Sequence, residues 1–139
     1  MKRFLVALLM FGFLTALGGV HVRSVEAAGT TTEQPAVIGG CPAGFNCSYT
    51  EYFKVSWYHD HSIGYVAAPT ILVNGGCDGN GPDWSGCTVS SLSCYRWSYG
   101  QYNCDSYFRV WDVNYLYYQD HLNRIRMFSD GSWDQYGNY

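Results

Sequence analysis

Charge is scarce in this chain. Asp, Glu, Lys and Arg make up 14% of its 139 residues, and the basic ones number 8 against 11 acidic. A surface that reads a phosphate backbone or an anionic bilayer needs clustered lysine and arginine. That scarcity excludes nucleic acid and an anionic membrane surface as the main partner. No stretch carries the 3.6-residue apolar period of an amphipathic helix, so a helical domain is excluded too. The chain has no G-x-S-x-G turn for a serine nucleophile. It has no Cys-x-x-Cys spacing for a zinc site, and no D-x-D-x-D-G order for a calcium loop. No catalytic residue is assigned, and no cofactor is expected.

Apolar and aromatic residues fill the space that charge leaves. The first twenty, MKRFLVALLMFGFLTALGGV, have the build of a secretory signal peptide. Lys2 and Arg3 give the charged start, Phe4 to Leu17 the apolar stretch, and Val25-Glu26-Ala27 the small residues that a signal peptidase reads. The apolar stretch is shorter than the ~20 residues of a spanning helix. Residues 1–27 are therefore read as a leader cleaved after Ala27, with no membrane attachment afterwards and a secreted, extracellular product. Cleavage removes Lys2, Arg3, Arg23 and Glu26, which leaves 5 basic and 10 acidic residues. Residues 28–40, AGTTTEQPAVIGG, read as a flexible N-terminal segment. Residues 41–139 read as one domain, expected to be a monomer, large enough for a modest core.

All six cysteines follow the leader: Cys41, Cys47, Cys77, Cys87, Cys94 and Cys104. An even count behind a signal peptide reads as disulfides, and six cysteines allow 15 pairings. Each sequential pair brackets turn-forming residues, so the local set Cys41–Cys47, Cys77–Cys87 and Cys94–Cys104 is expected.

Strand periodicity is clearest from Cys47 to His61. Tyr49, Glu51, Phe53, Val55, Trp57 and His59 alternate with a mostly polar set, the pattern of a half-buried strand. Further strands are expected around Ile71 to Val73, over Thr88–Tyr99, over Tyr107–Tyr118 (buried on both sides) and over Leu122–Phe128. Ser129 to Ser132 reads as a turn on which Trp133 and Tyr136 fold back. Cys77 to Cys87, with three glycines and a proline, reads as a loop anchored by Trp84. Gly100-Gln101 reads as a hairpin turn. Many short strands between glycine turns indicate an all-β domain, a small sandwich or barrel.

Two stretches carry a family resemblance. Cys41, Pro42, Gly44, Cys47, Tyr49 and Phe53 resemble the opening of small secreted actinobacterial metalloproteinase inhibitors with a βγ-crystallin-like fold. Gln119-Asp120-His121-Leu122-Asn123-Arg124-Ile125 is similar to the crystallin segment in which a polar pair precedes x-Ile-Ser-Ser. Asn123 and Arg124 stand where that segment has serines, and the glycine usual shortly after the first aromatic pair is absent, with Val55 nearby. The resemblance covers about 20 residues. It implies a Greek-key β-sandwich and an inhibitor of extracellular proteases, without indicating the inhibitory loop.

Other clusters point elsewhere. His59 and His61 share a face if the strand runs through both, and with Asp120 or His121 they would approach the ligand count of a metal site. Asp78, Asn80 and Asp83 offer oxygen ligands in the glycine loop. Glu51 with Asp60 or Asp112 is the only carboxylate pairing that a glycosidase reading could use. The tyrosines and tryptophans exceed what a domain this size can bury. Trp84, Tyr95, Trp97, Tyr99 and Tyr102 are the candidate binding residues, since a flat ring with a polar tip suits a recognition surface. The expected function is binding, not catalysis. The first expectation is a secreted protease inhibitor using the Cys77–Cys87 or Cys94–Cys104 loop. The second is a carbohydrate or cell-surface binding module, or a secreted antagonist of other cells, using exposed tyrosines.

Overall fold

The computed structural model describes residues 28–41 and 43–138. The expected leader, residues 1–27, lies outside them. The strand with the clearest alternation is the longest of its sheet: β3 runs Ser48–Asp60 and buries every odd-numbered side chain from Tyr49 to His59. Two short strands, β1 (Ala28–Glu33) and β2 (Ala36–Gly40), pair with its C-terminal and N-terminal halves. β4 (Tyr65–Val66) and β5 (Thr70–Asn80) pair with the same halves of β3 from the opposite edge.

The second sheet holds four strands in chain order: β6 (Trp84–Ser98), β7 (Gln101–Asp112), β8 (Tyr118–Phe128) and β9 (Trp133–Asn138). All pairings are antiparallel. Short 3-10 turns at His61–Ile63 and Val113–Tyr115 are the only helical elements among the described residues. The chain is an all-β sandwich of two antiparallel sheets, with the three disulfides in the local set. β1 and β2 act as one interrupted strand, so both sheets are meanders. The return connection of a Greek key is not among the described pairings.

Three sequence expectations are corrected. Residues 28–40 are ordered as β1 and β2: the threonine run suits an exposed edge strand, and buried Val37 anchors the second half. The Cys77–Cys87 stretch is mostly strand, with only residues 81–83 outside β5 and β6. Its Gly79 is a packing glycine, because a Cβ there would overlap the Trp84 ring. The aromatic run from Tyr107 to Tyr118 is not one strand. β7 ends at Asp112, the chain turns, and β8 starts at Tyr118.

The interior has three layers. Phe53, Val55, Trp57, Val66, Cys104, Ile125 and Met127 form one apolar cluster. Val37, Tyr49, Phe108 and Val110 form the other, with Trp84 packed against it. Burying a side chain of this size contributes about 1.5–3 kcal/mol. Between the clusters lies a polar layer centred on Glu51, which has no exposed surface. Ser106 Oγ donates to its Oε1 at 2.9 Å, and Asn123 Nδ2 donates to its Oε2 at 3.0 Å. Gln135 Nε2 in turn donates to Asn123 Oδ1 at 2.9 Å and to the Ala36 carbonyl at 2.8 Å.

Burial raises the Glu51 pKa above the ordinary glutamate value, and the two donated hydrogen bonds oppose that shift without cancelling it. The folded chain therefore holds this proton more tightly than the unfolded chain. The contribution of Glu51 to stability falls as pH rises from the ordinary value through the raised one. The unfolding free energy of wild type minus that of Glu51→Gln should decline from acid to neutral pH in urea titrations. A difference that stays constant with pH would contradict the assignment.

Candidate functional site

The sequence-derived metal and acid candidates are dispersed by the fold. His59 is buried, with Nε2 3.1 Å from Thr31 Oγ1 and the ring pressed against Gly131. His61 is exposed, because β3 ends one residue earlier and the chain enters a 3-10 turn. Asp60 caps that turn by accepting from Ser62 N at 3.0 Å. The two histidines therefore do not share a strand face, which corrects the geometry expected of them. Asn80 accepts from Ser48 Oγ at 2.7 Å, and Asp83 accepts from the Asn46 amide. No group of three His, Cys, Asp or Glu able to hold a metal ion occurs among the described residues. Glu51 lies mid-sandwich, whereas Asp60 and Asp112 are the last residues of β3 and β7, so no carboxylate pair forms with it.

The five aromatic candidates divide in the same way. Trp84 is part of the core, stacked on Tyr49 at 6.4 Å. Tyr102 points inward against the Phe53 cluster. Tyr99 is exposed at the hairpin tip and packs on Tyr65 at 5.1 Å. Arg96 lies over both Tyr65 and Tyr102, at 5.3 and 5.0 Å, and locks that tip to the sandwich. Tyr95 and Trp97 face outward from the second sheet.

Two surfaces result, at different places on the molecule. The first is a cluster of three loops at the end where β3 begins. The Cys41–Cys47 loop is closed by its disulfide and by Cys41 N donating to the Cys47 carbonyl at 3.1 Å. The residue 81–83 turn holds it through Asp83 N to the Asn46 carbonyl at 3.4 Å. Gly81 (φ +107) lies against Asn46 and Cys47, so only glycine fits there. The third loop joins β7 to β8.

This β7–β8 loop is the most strained segment among the described residues. Asn114 (φ 57) and Tyr115 (φ 60) are consecutive non-glycine residues in the left-handed region. Such a conformation costs about 1–3 kcal/mol per residue and persists only where surroundings enforce it. Asp112 supplies the enforcement: its amide donates to the Tyr117 carbonyl at 3.2 Å, and its Oδ1 accepts from Tyr117 N at 2.9 Å. Tyr115 rests on Trp111 at 5.9 Å, and Tyr117 on Phe45 of the disulfide loop at 5.4 Å. The loop presents Tyr115, Leu116 and Tyr117 at 61%, 70% and 58% exposure. Sequence reading missed it because no glycine or proline punctuates VWDVNYLYY. The available signal was Asp-x-Asn in the middle of a run too long for one strand.

The second surface is the outer face of the β6–β9 sheet. Odd residues of β7 and even residues of β8 point there. Arg109 pairs with Asp120, Arg124 with Asp105, and Arg126 with Asp134, each through Nε and Nη2 at 2.6–2.8 Å. The hydrogen bonds from Arg109 hold Asp120 below the usual carboxylate range, and Asp105 raises the Arg124 guanidinium further. Both the Arg109–Asp120 and Asp105–Arg124 pairs satisfy one antiparallel register of β7 on β8. That shared register was the sequence signal available for this face. Arg124 stands where the crystallin-like segment has a serine; it is an ion-pair partner here, not part of a calcium site.

Comparison of the chain with family models, with curated proteins and with solved structures gives no match. The crystallin-like resemblance rests on the two sequence stretches alone.

The ion pairs differ in burial, and their variants should differ accordingly. Asp105 is buried, whereas Asp120 is exposed. Asp105→Asn should lower stability by about 1.5–3 kcal/mol in urea unfolding, the range for hydrogen bonds to a charged group. Asp120→Asn should lower it less, because solvent screens an exposed pair. Equal losses would contradict this ranking.

Proposed function

We propose that the protein is a secreted inhibitor of extracellular proteases, and that the β7–β8 loop is its inhibitory element. The observation that carries the reading is the loop itself. It projects as an exposed loop, uncharged from residue 113 to 119, with Tyr115, Leu116 and Tyr117 outward and the backbone braced by Asp112, Trp111 and Phe45. A projecting element fits a concave site, and an enzyme cleft is concave and largely apolar. A loop already ordered in the free protein loses little entropy on binding, so more of its contact energy appears as affinity. The neighbouring Cys41–Cys47 loop supports it through Phe45 and also carries half of the family resemblance.

Three disulfides in a small all-β domain are consistent with an extracellular protein. No helix among the described residues is long and apolar enough to cross a membrane. The Cys77–Cys87 and Cys94–Cys104 segments are less suited to enter a cleft than the β7–β8 loop. Cys94–Cys104 spans the two-residue turn of the β6–β7 hairpin, and Cys77–Cys87 spans the three-residue turn that carries the chain from one sheet to the other.

The test is titration of the purified protein against thermolysin-like and subtilisin-like proteases within a broad panel. Inhibition at a near-stoichiometric ratio is expected for at least one. Replacing Leu116 and Tyr117 together by alanine should weaken it by about 2 kcal/mol or more, as loss of a central contact does. Leu116 is exposed and takes no part in the ring contacts that brace the loop, so Leu116→Ala alone should weaken inhibition while leaving the thermal midpoint unchanged. Absence of inhibition across the panel overturns the proposal, as does inhibition that survives the double substitution.

A further inference from the structure

We infer a second binding site on the outer face of the β6–β9 sheet, one that takes a neutral glycan and lies apart from the β7–β8 loop. The site is a groove of about 260 Å³ lined by Trp97, Gln101, Asn103, Arg124 and Arg126. It lies at the end of the sheet where the β6–β7 hairpin closes. The register shifts between Arg96 and Ser98, so Trp97 is an extra residue in β6, a bulge that re-aims its side chain. Trp97 is 68% exposed although tryptophan is a costly residue to leave in water.

The floor beside that indole is polar and held rigid. Gln101 Nε2 donates to Asn103 Oδ1 at 2.9 Å, and Asn103 Nδ2 donates to the Tyr95 hydroxyl at 3.3 Å. Asn103 is buried, so this chain of hydrogen bonds is fixed beneath the groove and not stirred by solvent. Arg124 and Arg126 commit Nε and Nη2 to their aspartates, which fixes both guanidinium planes and leaves each Nη1 to a ligand. The Gln101 carbonyl and the Tyr95 hydroxyl hydrogen are likewise available.

The ligand class follows from this combination. A flat apolar ring stands beside a fixed array of donors and acceptors that carry no net charge. A pyranose has the complementary form, with an apolar C–H face and a rim of hydroxyls. The indole would take the face while the amide, phenol and guanidinium groups take the rim. Charge decides between neutral and anionic ligands. Both arginines are neutralised by aspartates in the same face, so an anionic polymer meets no unpaired cation here. Further rings along the same face, Tyr107 and Tyr136, are exposed. They extend the surface in the strand direction, as a chain of sugars would need.

Binding is tested on insoluble chitin, cellulose and mannan by pull-down, and on soluble chitin and cellulose oligosaccharides by titration calorimetry. Retention on at least one polymer, undiminished by high salt, is expected. Trp97→Ala and Gln101→Ala should each weaken binding tenfold or more. Trp97→Ala should keep the wild-type thermal midpoint and leave any protease inhibition intact, whereas Leu116→Ala with Tyr117→Ala should leave glycan binding intact. The inference is overturned by failure to bind any of the three polymers, or by binding that Trp97→Ala leaves unchanged. Retention on heparin alone that salt abolishes also overturns it.

Discussion

The two sheets are aligned by a buried carboxyl group. Apolar side chains pack against one another in many registers, and a sandwich held by them alone tolerates sliding. Glu51 does not. Its oxygens meet Ser106 of β7 and Asn123 of β8, and Asn123 is held in turn by Gln135 of β9. A shift of one residue along any of these strands would turn the donor to the other face. The carboxyl group would then be buried without partners, at a cost far above that of an imperfect apolar contact. The polar layer thus fixes how β3 lies across β7 and β8, and hence where the loops and the outer face stand relative to one another.

With that alignment set, the two surfaces proposed for recognition occupy an end and a face of the same small domain. At the end, backbone strain is held in place by Asp112 and by ring contacts to Trp111 and Phe45. On the face, rigidity comes from paired charges across adjacent strands. The two devices are independent in space and in chemistry. One is a projecting, uncharged loop, the other a polar groove. The described residues bring no cluster of three metal-ligating side chains together at either.

How much of this could be read from the sequence depended on whether one physical signal dominated each stretch. β3 was legible because one face is wholly buried, so its alternation is uninterrupted over Ser48–Asp60. The disulfide set was legible because each pair joins chain segments separated by one tight turn; Cys94 and Cys104 lie directly opposite in the ladder. Edge strands were not legible. β1 has no fully buried residue, so its threonines looked like a solvated tail. Glycine misled in β5, where it signals covering rings rather than a loop: Gly76 lies beneath Tyr52 and Gly79 beneath Trp84. The same packing accounts for part of the aromatic excess, since rings fill the space that glycines leave. Of the residues placed in the proposed groove, Trp97 and Tyr95 stood out in the sequence by their aromatic character. Asn103, Arg124 and Arg126 were not, because their role depends on cross-strand neighbours that no single segment reveals.

The disulfides also set what a backbone cut can do. Residues 43–46, the turn at 81–83 and the Tyr99-Gly100 turn each lie inside a loop closed by a covalent bond. A single hydrolysed peptide bond in any of them leaves both new ends tethered, and on strands that remain hydrogen-bonded. The Cys77–Cys87 bridge goes further, since it ties a strand of one sheet to a strand of the other. The segment between Asp112 and Tyr118 lies outside every such ring. Nicked there, the chain has no covalent bond to close the gap, and the two fragments are held by non-covalent contacts alone: the ladder of β7 on β8 and the packing of β8 and β9 across the sandwich.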